Sequence, residues 1–233
     1  MEKLIYALWR PEDTTAEAFN AALRRSVTAT LRPLAQHLRL NLRDAHVTGS
    51  SAPCFSVMNP SPDAVVQLWV DTAYPPRRVG IDAALEAVSS QLQSWLVCES
   101  NPIRNMQHPT VFGARSPGFS QIAILLANPA MTHDDWRATW QDLHTQPAID
   151  LQSTFEYVQN LVVRPVLPGP AEVWSIVEEC FPLAALNDRT VYFDRPGDVA
   201  ATDVNEAAML RSVARFIGEN QCDVFPTSQY DMF

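Results

Sequence analysis

The 233-residue chain has no closely spaced cysteine pair, no cluster of basic residues and no hydrophobic run of membrane length, and each absence removes a class of function. Cys54, Cys98, Cys180 and Cys222 are widely scattered with no C-x-x-C among them. That spacing argues against a zinc cage or a dithiol redox motif and favours buried, reduced thiols. Seventeen Lys and Arg against 26 Asp and Glu leave a net charge of −9. An excess of that sign opposes binding to nucleic-acid backbones or anionic membranes. The N-terminal apolar run, residues 4–9, is too short for a signal peptide, so a cytoplasmic location is expected. What is present, 47% hydrophobic and 18% charged residues, suits a soluble protein with a substantial core.

The chain also says much the same thing twice. Residues 3–8 (KLIYAL) align with residues 121–126 (QIAILL) at an offset of 118, and each apolar run is soon ended by a proline, Pro11 or Pro129. Both read as buried strands. A threonine then leads a helical pattern in each copy, Thr15 before Glu17 and Phe19, and Thr132 before Asp134, Asp135 and Trp136. A hydroxyl cap followed by first-turn acids favours the positive end of a helix. Residues 65–70 resemble residues 173–177, and Cys98 lines up with Cys222. Two copies of strand–helix–strand–strand–helix–strand follow, the order of the ferredoxin-like split βαβ unit. The expected class is therefore α+β, with tandem units over 1–116 and 117–233 packed sheet to sheet as an internal pseudo-dimer, an α+β barrel. Function is expected inside the barrel or at its mouth. The internal pairing permits a further homodimer without requiring one.

The copies differ in a way that locates the chemistry. The second carries Trp136, Trp140, His144 and Ala148 at successive i+4 steps, one helix face; the first has Phe19, Leu23, Val27 and Leu31 there. An imidazole on so apolar a face needs a hydrogen-bond partner or a cavity, because an unpaired buried polar group costs about 1–3 kcal/mol. It is either a satisfied structural histidine or an acid–base group. Downstream, residues 154–165 form a β-prone run that puts Phe155, Tyr157, Gln159, Leu161 and Val163 on one face and Glu156, Val158, Asn160, Val162 and Arg164 on the other. Which face lines a cavity is open at this point. Asp71 and Glu179 end the third strand of each copy and could tune a histidine. One histidine on the candidate face makes a His-rich metal site weak, so no metal and no cofactor are expected.

The run Trp136-x-x-x-Trp140-x-x-x-His144-Thr145-Gln146-x-Ala148-Ile149, followed by Gln152-Ser153-Thr154-Phe155-x-Tyr157-Val158-Gln159-Asn160, resembles the signature of EthD-domain proteins. The resemblance is specific over residues 119–166 and faint over 1–115, so the first copy looks like a degenerate EthD domain. It implies a dimeric α+β barrel of ferredoxin-like units. Similar barrels perform cofactor-independent dehydrations, cyclisations and isomerisations, and some bind haem through a histidine, the weaker alternative here. The resemblance assigns His144 as acid–base group, Tyr157 and Asn160 as substrate-orienting groups, and Trp140 as a pocket wall. Trp136, Glu179 and Arg164 are added as candidate ligand-binding residues. The expected partner is a small hydrophobic, oxygenated aromatic or polyketide-like molecule. A cofactor-independent lyase or isomerase, a noncatalytic hydrophobic-ligand binder or accessory protein of a catabolic route, and an interaction protein with a solid barrel all stand at this stage.

Overall fold

In a computed structural model, which describes every residue except 59, 168, 170 and 171, eight antiparallel strands close into one barrel. In the sequence Pro165, Pro168 and Pro170 predict a stiff, extended loop after residues 154–165; Pro168 and Pro170 lie outside the described residues. The strands are β1 (Glu2–Trp9), β2 (His37–Leu42), β3 (Ala64–Val70), β4 (Gln91–Ile103), β5 (Phe119–Leu126), β6 (Glu156–Leu167), β7 (Val173–Phe181) and β8 (Cys222–Asp231). Their order around the barrel is β1-β3-β2-β8-β5-β7-β6-β4, with β1 also paired to β4. Each half of the chain thus contributes four consecutive strands, and the seams are β2–β8 and β4–β6. Closure leaves no bare sheet edge to recruit another strand.

Helices cover the outside. In the first half these are α1 (Ala16–Ala22), which runs through a π-helical turn (Leu23–Val27) into α2 (Thr28–Leu31), and α3 (Pro75–Glu86). In the second half α4 (His133–Ala138) runs through a π-helical turn (Thr139–His144) into α5 (Thr145–Leu151), followed by α6 (Arg189–Tyr192) and α7 (Val199–Val213). The Thr15 and Thr132 hydroxyls cap the helices as the sequence predicts, accepting from the N–H groups of Ala18 and Asp135. The two π turns match at an offset of 117, and so does the device that accommodates them. Thr28 Oγ1 donates to the Leu23 carbonyl at 2.8 Å, and Thr145 Oγ1 donates to the Trp140 carbonyl at 3.3 Å. Each hydroxyl occupies a carbonyl five residues back that an α-helical ladder would leave to the backbone.

Strand alternation sorts the side chains into an outer, helix-facing layer and a barrel interior. Leu4, Tyr6 and Leu8 pack outward with Phe19, Leu23, Val27 and Leu31, while Ile5, Ala7 and Trp9 point inward among Trp95, Ile122, Ile124, Ile176 and Phe225. The interior also holds a polar network. Arg39 contacts Glu156 at 3.0 Å, Glu178 at 3.1 Å and Asp231 at 2.8 Å. Glu178 also accepts from Asn41, Gln67, Ser120 and Gln229 at 2.6–2.9 Å. Lys3 pairs with Glu99 at 2.6 Å and lies over the Trp69 ring. Apolar and polar side chains together occupy the barrel interior, and the cavity described below lies outside it.

Two expectations need correction. All four cysteines are free, but only Cys180 is buried; Cys54 and Cys98 are exposed and Cys222 is intermediate. Nor do Cys98 and Cys222 occupy matching places. Leu4 pairs with Leu96 on β4, and Gln121, the residue facing the helices in the corresponding place, pairs with Pro226 on β8, which puts Cys98 opposite Ser228 in the comparison. The first strands therefore match at an offset of 117, the offset of the helices, and not 118. A one-residue slip exchanges the two faces of a strand.

Candidate functional site

A cavity of about 400 Å³ lies outside the barrel, between the β5–β7–β6 face and the second-half helices. Its size falls within the range of small-molecule sites. Walls come from Trp140, Val177, Tyr192, Phe193, Met209 and Phe216; polar groups come from Gln121, His144, Gln152, Tyr157 and Glu179. The matching layer of the first half explains why there is space here. Across β1–β3–β2 the pairing runs Leu4–Leu68–Leu38, three fully buried leucines. Across β5–β7–β6 it runs Gln121–Glu179–Tyr157. A leucine row has become an amide, a carboxyl and a phenol, and these polar tips require an opening or partners. Glu179 thus corresponds to Leu68, not to Asp71 as the sequence alignment suggests.

Glu179 is buried, lines the cavity and makes no ion pair among the described residues. Burial alone raises its carboxyl pKa to about 7, because low-polarity surroundings penalise the charged form. Tyr157 is its direct cross-strand neighbour, and such pairs have Cβ atoms roughly 5 Å apart. The Tyr157 oxygen accepts from Gln159 Nε2 at 3.0 Å. Burial and the nearby Glu179 charge push its pKa well above the ordinary phenol value, so it stays protonated. Tyr192 and Gln121 exchange hydrogen bonds of 3.0 and 3.2 Å across the cavity floor.

His144 closes the π turn and opens onto the cavity. Its Nδ1 is 2.9 Å from Ser212 Oγ on α7, and its ring packs 4.8 Å from Phe216. Burial, with a smaller contribution from the Arg215 charge, lowers its pKa to about 4. The imidazole is therefore neutral at physiological pH, able to donate or accept a hydrogen bond but not to act as a resting cation. A folded-state pKa below the unfolded value gives a contribution to stability present above pH ~6.5 and lost as pH falls toward 4. We expect the His144 ring proton resonances, assigned by comparison with His144→Gln, to stay in the neutral form down to about pH 4. A midpoint near 6.5 would show that the ring is solvated.

The structure brings together His144, Tyr157, Glu179 and Trp140. It does not bring in the other candidates. Asn160 stands three residues from Tyr157 on one strand, so alternation turns it to the barrel interior, where its amide donates to the Ile176 carbonyl at 2.9 Å. Arg164 is exposed beyond the covered part of β6, and among the described residues its side chain donates to the Pro165 carbonyl alone. Trp136 is fully buried behind the wall, packed against Trp140, Trp174 and Phe216 at 5.2–6.0 Å between ring centres. Sequence reasoning missed Gln121, which precedes an apolar run on its strand, and Ser212 and Phe216, which carry no motif. The polar segment from Asn187 to Asp198 carries no motif either, and its Arg189, Tyr192 and Phe193 line the cavity.

No group of three or more His, Cys, Asp or Glu side chains among the described residues is placed to hold a metal ion. No helix among them is long and apolar enough to cross a membrane. No family model matches the chain, and no curated protein matches it. Among solved structures the chain is similar to an anthrone oxidase-like protein, at 7% identity with a TM-score of 0.58 over 99% of this chain and 93% of that one. A dye-decolorizing peroxidase from Bacteroides thetaiotaomicron matches at 9% identity with a TM-score of 0.49, over 98% and 93% of the two chains. The first of these is of the dimeric α+β barrel type, and at 7% identity the likeness establishes the fold alone.

Proposed function

We propose that the protein binds a small hydrophobic, oxygenated aromatic or polyketide-like metabolite in this cavity and moves a proton on it, with Glu179 as the acid–base group. The observation that carries this reading is the buried Glu179 carboxyl, raised to about 7, facing an apolar cavity beside the protonated Tyr157. A group poised near the operating pH is a competent proton acceptor and donor. The carboxylate takes a proton from a carbon next to a carbonyl; the C–H electron pair becomes a C=C bond and the C=O π pair moves onto the oxygen. Tyr157 donates a hydrogen bond to that developing oxyanion, neutral His144 orients the ligand, and Trp140 stacks on its ring. The proton then returns at another carbon, an isomerisation, or to a leaving hydroxyl, a dehydration. His144 thereby gives up the role of principal base that the sequence suggests, because its burial holds it neutral with a pKa near 4.

The lining does not fit haem. Among the described residues lining the cavity, Arg189 is the one cation, and Asp203 and Glu206 already hold it. Propionates would have no free partner, and the unpaired Glu179 carboxyl would face the macrocycle. In the same reading the chain is an EthD-like tandem of ferredoxin-like units, 1–116 and 117–233. The recurrent strand order and matched π turns support this. The first unit closes the barrel, and its leucine row leaves no room for a ligand. A homodimer in solution would use the outer surfaces, since the strands already close on themselves.

The test is deuterium exchange at the carbon between carbonyl and ring of 2-tetralone in heavy water. Wild type is expected to accelerate exchange, and Glu179→Gln to lose about 100-fold or more of that acceleration, the usual span of an acid–base contribution. Binding of the ketone with no acceleration by wild type would make the protein a noncatalytic binder instead.

A further inference from the structure

The cavity belongs to the second half, but part of its wall comes from the first. The β2–β3 connection spans residues 43–63, whereas its counterpart between β6 and β7 spans only residues 168–172. Connections of about 20 residues without their own secondary structure are uncommon and usually functional. This one runs as a strap over the second-half cavity, where Ser51, Ala52, Pro53 and Phe55 line the opening.

The strap is fastened at both ends to the same strand, β8. At one end the Asp44 carboxylate accepts from Ser228 Oγ at 2.9 Å and Tyr230 Oη at 2.7 Å. At the other, the fully buried Asp223 carboxylate accepts from the N–H groups of Val57 and Met58 and from Ser61 Oγ at 3.0–3.3 Å. Several hydrogen bonds converge on one carboxyl at each end, so these ends are firm. Between them the fastening is lighter. Phe55 makes a single antiparallel bridge to Val224, with bonds of 2.8 and 2.9 Å. The Ser51 N–H donates to the exposed Asn187 side chain on the far rim at 3.0 Å. The Phe55 ring touches the cavity yet is 57% exposed.

We propose that residues 51–55 are the gate of the ligand cavity, latched to the far rim through Asn187 and closed over the opening by Phe55, while Asp44 and Asp223 hold the two ends as fixed hinges. This inference rests on the reading of the cavity as a ligand site. It gives the first half a second task besides closing the barrel: it sets how fast the ligand of the second half enters and leaves. A gate differs from an ordinary contact in its kinetic signature. Loosening a gate speeds association and dissociation together and moves the dissociation constant little, whereas losing a contact speeds dissociation alone.

Stopped-flow binding of 1-N-phenylnaphthylamine, an uncharged fluorescent aromatic, tests this in wild type, Asn187→Ala, Phe55→Ala and the cavity-filling variants Val177→Trp and Ala123→Leu. Asn187→Ala is expected to raise the association and dissociation rates by roughly 5–10-fold, the equivalent of one latch hydrogen bond, and Phe55→Ala, which uncovers the opening but keeps the backbone bridge, to raise both rates together, with the dissociation constant changed less than about threefold in each. If filling the cavity weakens binding while both gate variants keep wild-type rates, or speed dissociation only, the gate is wrong and the cavity reading survives. If the probe does not bind wild type, or binds the filled variants equally well, the cavity reading fails and takes the gate with it.

Discussion

Replacing Glu179 by Gln is expected to make the protein more stable at pH 9 and to leave it unchanged at pH 4. The Glu179 carboxyl stands near 7 in the folded chain against an ordinary value of 4.5. The folded state therefore binds this proton more tightly than the unfolded chain. Stability from this source is fully present below pH 4.5 and is lost as pH rises through 7. A difference of about 2.5 pH units corresponds to at most about 3 kcal/mol. The amide keeps the shape and removes the titration. Urea midpoints of wild type and Glu179→Gln from pH 4 to 9 would show curves that coincide in acid, separate between about pH 4.5 and 7 and keep that separation at higher pH. Parallel curves would mean that Glu179 is solvated and that its role as a poised proton carrier is unsupported. The same substitution is expected to lose about 100-fold or more of the exchange acceleration, so stability gained and function lost would coincide at one residue, as they do where activity needs a destabilised site.

Arg39→Leu is expected to have the opposite sign and a larger size. Arg39 bridges Glu156, Glu178 and Asp231 inside the barrel, where Glu178 is almost completely buried. Removing one partner of a buried ion pair costs about 3–5 kcal/mol because the remaining charges are left uncompensated. That is a large part of a total of about 5–15 kcal/mol for a folded domain. The pH dependence identifies the cause. Although burial opposes it, the Arg39 guanidinium with amide donors from Gln229, Asn41 and Gln67 lowers Glu178 to about 2. That contribution is present above the unfolded value near 4.5 and is lost as pH falls toward 2. Without Arg39 the carboxyls favour their protonated forms, so the deficit of the variant should shrink between pH 7.5 and pH 5. Urea unfolding at these two pH values measures it; a deficit that is constant with pH would assign the loss to packing.

The frame of the barrel was legible because strand and helix periodicity repeat. The threonine caps, the apolar runs of β1 and β5 and the Phe19/Trp136 offset of 117 all occupy the places expected. Register was less accessible. Apolar runs such as QIAILL are hydrophobic on both faces, so nothing in them distinguishes an offset of 117 from 118. That single residue decides whether Gln121 faces the helices or the barrel. The same alternation separated Tyr157 from Asn160, and the sequence left open which of their faces met the cavity. Glu179 was visible as an acidic strand end, but its opposition to Tyr157 and Gln121 depends on pairing across three strands. The polar filling of the barrel was the hardest to see. Arg39, Glu156, Glu178 and Asp231 come from four different strands, and each alone looks like an ordinary charged position in its segment.

The claim on which the account rests is that the ligand site lies between the outer sheet face and the helices of the second half. Crystals soaked with 2-naphthol test it most directly. The account predicts density for the bicyclic ring between Trp140, Val177 and Phe216, with its hydroxyl within hydrogen-bond distance of Tyr157 or Glu179. Density inside the barrel, at its mouth or against the first-half helices, or an unchanged cavity at saturating ligand, would contradict it.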